Sequence, residues 1–314
     1  MALFVLCALC AMGCLSTGSE PSAPDGPGPS PDDTSGDGQT TKAYFVLQGG
    51  DLRGANWPAA FAEYSLMVCN PSLSATDVAQ IRTDLPGCVL LAYFNVQDSP
   101  IGMFASPYYQ AMEAVFDSTQ CLIDLDTGKV VRQQGHDEGT PGSGYPHFIF
   151  NDGTIEALVA FHRDVTMAAG WDGFYLDQST GFYPPWRRAM LLDQTPNFDF
   201  DADGVSDSID KIQLRYPLGR YNFTRRLREE LGDAKVIVAN SGGPLGDSNL
   251  NGICLEGVGD RFTITQARDY VTNQEEVSRS PFTAVFWATT VASEAPSMQL
   301  ATELGVHYGA IGGS

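Results

Sequence analysis

Basic residues are scarce in this chain. Lysine and arginine number 18 against 38 aspartates and glutamates, a formal charge of −20, which argues against a phosphate backbone or an anionic membrane surface as partner of the folded part. A neutral ligand is easier to accommodate. Histidine is sparse too, with four in the whole chain: His136, His147 and His162 show no metal-ligand spacing, and His307 reads as a satisfied core residue. Beyond the first fourteen residues there are four cysteines, Cys69, Cys88, Cys121 and Cys254, spaced too widely for a zinc pattern and with no pairing that sequence can assign. No GxSxG elbow is present, and Ser241 in Asn240-Ser241-Gly242-Gly243 lacks a recognisable base, so a serine hydrolase ranks low.

What is there divides into three parts. Residues 1–14, MALFVLCALCAMGC, are an apolar run too short to span a bilayer and placed where a secretory h-region sits. Its end, Ala11-Met12-Gly13-Cys14, resembles the bacterial lipobox and makes Cys14 a candidate for lipidation; the alternative is an ordinary cleaved signal. Residues 15–41 are rich in Ser, Pro, Gly, Asp and Thr and cannot bury enough surface to offset their ordering entropy, so they read as a disordered tether. Together these imply an exported protein of the cell envelope, or a secreted one, touching a membrane only through an N-terminal lipid. The chain is 43% hydrophobic, which leaves residues 42–314 enough apolar material for one sizeable core.

From residue 42 onward, β-rich runs alternate with helical patterns. The runs are YFVLQ (44–48), SLMVC (65–69), VLLAYFN (89–95), GFYLD (173–177), VIVAN (236–240), ICLE (253–256), TAVFW (283–287) and VHYGA (306–310). Eight such runs close a (β/α)8 TIM barrel. Helical periodicity lies between them at 75–85, 154–169, 220–231, 265–277 and 297–304. A doubly wound open sheet is the alternative, weakened because Gly49-Gly50-Asp51 stands where a GxGxxG loop would follow the first strand. Two connections are long, 96–150 and 178–210, and barrel enzymes build their sites from loops after the strands.

A strand that ends on a carboxylate therefore matters. In Gly170-Trp171-Asp172-Gly173-Phe174-Tyr175-Leu176-Asp177, alternation puts Gly173, Tyr175 and Asp177 on the barrel side, with Phe174 and Leu176 against helices. Glu256 ends the sixth run in the same way, with Cys254 inward. Two carboxyl groups facing one cleft are the minimum apparatus of glycoside hydrolysis, so Asp177 and Glu256 are the candidate catalytic pair. The bland alternative is that they cap a helix or pair with Arg53, Arg187 or Arg261. Asp172, at the strand entrance, reads as structural. Candidate substrate-binding residues are Asn95, Tyr175 and Asn240 at strand ends, with Tyr183, Trp186 and Trp287 as aromatic platforms; Trp57 and Phe182 belong to the same set of loop aromatics. Each aromatic taken singly is more often core.

The sharpest local motif is DFDADGVSDSID at 199–210, inserted into the barrel. Oxygens from Asp199, Asp201, Asp203, Asp207 and Asp210, a backbone carbonyl from Val205 and Gly204 at the sharp turn are what a Ca2+ loop needs. Its last ligand is Asp rather than Glu, which resembles dockerin-like and thrombospondin-like loops. The ion would be structural, since five carboxylates without a counter-charge repel one another. A solvated acidic turn is the alternative.

The order LAYFN, GWDGFYLD, VIVANS resembles a group of bacterial barrel glycosidases related to the endo-α-1,4-polygalactosaminidases, across most of residues 42–314. In that group a GFDGhhLD strand, with h apolar, carries an acidic residue matching Asp177, whereas Glu256 corresponds only by position in the fold. The resemblance implies a barrel glycosidase acting on a poly- or oligosaccharide. Two rivals stand beside it: a non-catalytic carbohydrate-binding barrel, and a barrel hydrolase acting on acylated sugars, which the missing nucleophile motif disfavours.

Overall fold

A computed structural model describes residues 41–46, 57–97, 106–115, 120–131, 147–177, 179, 197–240 and 246–310. The signal-like segment with Cys14, most of the tether, and Phe182, Tyr183, Trp186, Arg53 and Arg187 lie outside the described residues. No helix among the described residues is long and apolar enough to cross a membrane.

Eight parallel strands close into a barrel. In chain order the strands are β1 (Lys42–Val46), β2 (Tyr64–Cys69), β3 (Val89–Asn95), β4 (Ile123–Asp124), β5 (Lys129–Val130), β6 (Gly173–Asp177), β7 (Phe198–Asp199), β8 (Val236–Asn240), β9 (Gly252–Glu256), β10 (Val285–Ala288) and β11 (His307–Ala310). The barrel runs β1-β11-β10-β9-β8-β6-β3-β2 and closes on itself. Every one of the eight sequence runs supplies one of its strands, with boundaries that coincide or shift by one or two residues. The helices are α1 (Ala75–Asp84), α2 (Pro107–Val115), α3 (Asp152–Phe161), α4 (Ile209–Leu231), α5 (Ile264–Glu275) and α6 (Val291–Leu304).

Strand alternation divides the core as it must in a closed sheet. Phe174 and Leu176 pack outward into the helical layer, while Tyr175, Val238, Cys254 and Val285 fill the barrel interior. Ile253, Leu255 and Phe286 face outward on the far side. Gly173 is dictated by close approach: a Cβ there would lie 1.7 Å from the Val236 carbonyl oxygen on the neighbouring strand. Asp172 ties the entrance of β6 in place, accepting from Arg82 at 2.6 Å and from the Leu90 amide at 2.8 Å.

Three features depart from the sequence reading. Helix α4 starts at Ile209, eleven residues earlier than periodicity suggested, because capping by Ser208 and burial of Ile212 and Tyr216 override Pro217 and Gly219 inside it. Gly219 is itself a contact, since a Cβ would lie 2.3 Å from Phe150 Cβ. Helix α2 and an antiparallel sheet of order β5-β4-β7 stand in stretches read as loops, and β7 pairs with β4 to join the two long connections. Cys69, Cys88, Cys121 and Cys254 are all buried; Cys69 faces the helical layer and Cys254 the barrel interior, so the sheet itself separates those two.

Candidate active site

Register decides which strand ends meet. Asn95 on β3 lies beside Asp177 on β6, and Trp287 on β10 beside Glu256 on β9. Between β6 and β9 stands β8, ending in Asn240. The side-chain nitrogen of Asn240 donates to Asp177 Oδ1 at 2.9 Å and to Glu256 Oε1 at 2.8 Å. One nitrogen therefore holds oxygens of both carboxylates within about 5.7 Å of each other, the sum of those two bonds. With amide N–H bonds about 120° apart these two nearest oxygens fall near 5 Å from each other; retaining glycosidases hold their carboxyl groups about 5–5.5 Å apart and inverting ones roughly 6.5–9.5 Å.

The remaining carboxylate oxygens have different partners. Tyr93 donates its hydroxyl to Asp177 Oδ2 at 2.5 Å, and Arg261 Nη1 approaches Glu256 Oε2 at 3.2 Å. Burial pushes the Glu256 carboxyl up, the negative charge of Asp177 adds to this, and Arg261 and Asn240 oppose it. Beneath the pair lie Tyr175 and Cys254, both fully buried and in mutual contact. Burial raises both well above their ordinary values, so they form a neutral floor. Asp177 thus sits among hydrogen-bond donors, and Glu256 in a drier setting that raises its carboxyl.

No protein-family model matches the chain, and no curated protein matches it. Solved structures do. A xylosidase from Aspergillus niger is 12% identical over 87% of this chain and 38% of its own, with a TM-score of 0.42. A cycloalternan-degrading enzyme from Trueperella pyogenes is 9% identical over 86% and 38%, with a TM-score of 0.45. An uncharacterised protein from Listeria monocytogenes EGD-e, in complex with glucose, magnesium and calcium, is 9% identical over 87% and 28%, with a TM-score of 0.46. The chain spans less than two-fifths of the length of each.

The other described candidates take different places around the pair. Tyr175 is 2% exposed and stacks near Tyr93, with ring centroids 6.1 Å apart; it supports the site from below and does not present a surface to a ligand. Trp287 is mostly buried in the barrel interior and lies against Gly309, its ring atoms 2.4 Å from where a Cβ would be. Asn95 accepts from the Gln97 amide at 3.0 Å, fixing the chain as it leaves β3. Asn240 is placed to orient the carboxylates. Trp57 is not at this rim: it packs on Phe61 and donates to Asp84 at 2.6 Å, at the end of the helix that leads into β3. Tyr93 escaped the sequence reading, although alternation along VLLAYFN puts Leu91, Tyr93 and Asn95 on one face.

Behind the rim a buried network braces the loops. The Ser179 amide donates to the Asn240 carbonyl at 2.8 Å. Arg220 on α4 reaches Asp247 at 3.3 Å and Ser179 at 3.5 Å, and Thr224 donates to the same Asp247 oxygen at 2.6 Å. A buried carboxylate with these donors is satisfied, and it couples α4 to the chain leaving β6 and β8.

The acidic loop has the turn its sequence called for. Gly204 takes φ +79°, and both oxygens of Asp199 accept backbone N–H groups, from Asp203 at 3.2 Å and Gly204 at 2.8 Å. Asp199, Asp201 and Asp207 bring one carboxylate oxygen each within 4.8 Å of one another. Asp203 instead caps the Val205 amide at 2.8 Å, and Asp210 is exposed in the first turn of α4. Counter-charge comes from the chain itself: Lys211 contacts Asp201 at 2.9 Å and also Asp207, and Arg215 contacts Asp201 at 2.6 Å. The lysine beside it holds the Asp201 carboxyl below its ordinary range. Because α4 places Lys211 one turn after Asp207, the chain itself supplies counter-charge to Asp201 and Asp207.

Proposed function

We propose that this barrel is a glycoside hydrolase acting on a poly- or oligosaccharide, as its resemblance to the polygalactosaminidase-related glycosidases implies, and that it works with retention of configuration. The observation that carries the reading is the bridging of Asp177 and Glu256 by the single nitrogen of Asn240. Asp177, accepting from Tyr93 and Asn240, is the nucleophile. Glu256, pushed toward its protonated form by burial and by Asp177, is the acid. In the first step Asp177 attacks the anomeric carbon while the proton of Glu256 passes to the departing glycosidic oxygen, leaving a glycosyl ester on Asp177. In the second, Glu256 takes a proton from water as that water attacks the same carbon and the ester bond breaks. Turnover on a glycan panel, with the anomer of the first product read by NMR, tests this: retention supports it, and inversion contradicts the 5 Å geometry. Binding without turnover favours the carbohydrate-binding alternative.

The same reading extends to calcium and to location. Asp199, Asp201 and Asp207 would hold a Ca2+ ion, whose contribution would be structural, bracing the connection between β7 and α4. Convergence of three carboxylate oxygens supports this, and Lys211 would have to leave them. Export and lipidation at Cys14 rest on the sequence of residues 1–14 and on the tether behind it.

A further inference from the structure

Glu256 is held from two sides. Asn240 binds Oε1 at 2.8 Å from the barrel interior, and Arg261 binds Oε2 at 3.2 Å from the loop after β9. The two holds differ in kind. Asn240 sits on a buried strand end, whereas the Arg261 side chain is 60% exposed. The backbone that carries it is nonetheless fixed: the amides of Asp260 and Arg261 both donate to the Gly257 carbonyl, at 3.0 and 2.7 Å, and the Gly257 amide donates to Trp287 at 2.7 Å. Gly257 takes φ +77° in this turn, a conformation in which a side chain would be strained. A rigid turn thus presents a guanidinium with a free head to one carboxylate oxygen.

The groups around Glu256 make that contact consequential. Asp177 and Tyr175 face it from β6, Cys254 from its own strand, Asn240 from β8 and Trp287 from β10. Arg261 pairs with Glu256 at 3.2 Å and so brings a cation to this carboxylate. We propose that Arg261 is a positioning residue that keeps Glu256 ionised and turned outward in the empty cleft, and that releases it for proton uptake when a substrate arrives. This rests on Glu256 being the acid of the proposed reaction. Glu256 is partly open to solvent, so it takes its proton from hydronium or a buffer acid as the guanidinium turns away to be hydrated. Burial and Asp177 then act on Glu256 unopposed by that cation and favour the acid form. Because the Arg261 head is exposed, salt screens its hold on Glu256 while leaving the buried terms largely intact.

Two readouts separate this from the catalytic reading. The first is the 13C titration of the Glu256 carboxyl in wild type, Arg261→Gln and Arg261→Lys, assigned by its disappearance in Glu256→Gln. Arg261→Gln should move the Glu256 midpoint to higher pH, Arg261→Lys should return it toward wild type, and high salt should move wild type toward Arg261→Gln. The second is the basic limb of the kcat/KM profile, which should move upward in Arg261→Gln by the same amount. Coincident Glu256 midpoints in wild type and Arg261→Gln overturn the proposal. If the midpoint moves as expected but the wild type turns over no glycan, the ion pair stands as an ionisation control and the catalytic reading falls.

Discussion

Glutamine at position 256 keeps the size of the side chain and an oxygen for the Asn240 amide, and removes the transferable proton. Positioned general acids contribute about 10²–10⁴ in rate, or roughly 2.7–5.4 kcal/mol. Glu256→Gln should lose that much kcat/KM on glycosides whose leaving oxygen must be protonated. On a dinitrophenyl glycoside of the same sugar, whose leaving group departs as a stable anion, the first step should be nearly unaffected and the glycosyl ester on Asp177 should accumulate. Asp177→Asn removes the attacking oxygen and should cost at least about 10⁴ on both substrate types. The pH profiles must agree in sign: an acid works only while protonated, so activity falls as pH rises through the Glu256 pKa, which burial and Asp177 hold above the ordinary value. Glu256→Gln should lack this basic limb. Stopped-flow release of dinitrophenol and intact-mass detection of the ester provide the assay. Equal losses on activated and unactivated glycosides, or turnover surviving in Asp177→Asn, would falsify the assignment of roles.

Further outcomes follow from the fold. Gly173→Ala drives a methyl to 1.7 Å from the Val236 carbonyl and should cost about 3 kcal/mol or more, read by urea unfolding. His162 is fully buried among Phe94, Phe161 and Phe174, and burial lowers it from 6.5 to about 3. The unfolded chain therefore takes up its proton first, and stability present above pH 6.5 is lost on acidification, by roughly 2.7 kcal/mol between pH 6.5 and 4.5. His162→Leu should flatten the stability curve over that range by about 1.4 kcal/mol per pH unit. Calcium at a hundredfold over its Kd should add about 2.7 kcal/mol, a Tm rise of roughly 5 °C or more. Asp201→Ala should abolish the response to EDTA, and Lys211→Met should enlarge it by removing the competing cation. A Tm indifferent to calcium in both wild type and Lys211→Met contradicts the metal reading.

The barrel was legible because each strand is a short β-rich run whose inner and outer residues alternate. GFYLD and ICLE therefore revealed both their barrel face and the carboxylates at their ends. The calcium-type turn was legible for a related reason, since its donors are local and its glycine conformation is set within six residues. Sequence faltered where local preference and tertiary packing disagree. Pro217 and Gly219 hid the first half of α4, whose buried Ile212 and Tyr216 hold it helical, and two-residue strands such as β4 and β7 have no periodicity to detect. Trp57 looked like a rim aromatic only because the end of the barrel to which a loop returns cannot be read from its composition.

Eight β-rich runs, two of them ending in Asp177 and Glu256, determined that carboxylates would stand at one rim of a closed sheet. Only the tertiary structure decided what those carboxylates could do. Asp177, Asn240 and Glu256 come from three strands that are adjacent only after closure and registration, and the shared hydrogen bonds of Asn240 fix a separation that no spacing along the chain encodes. Arg261 likewise acquires its meaning from a turn that folds back onto Glu256. Strand alternation is a property of the local backbone; the distance between two strand ends is a property of how the sheet closes.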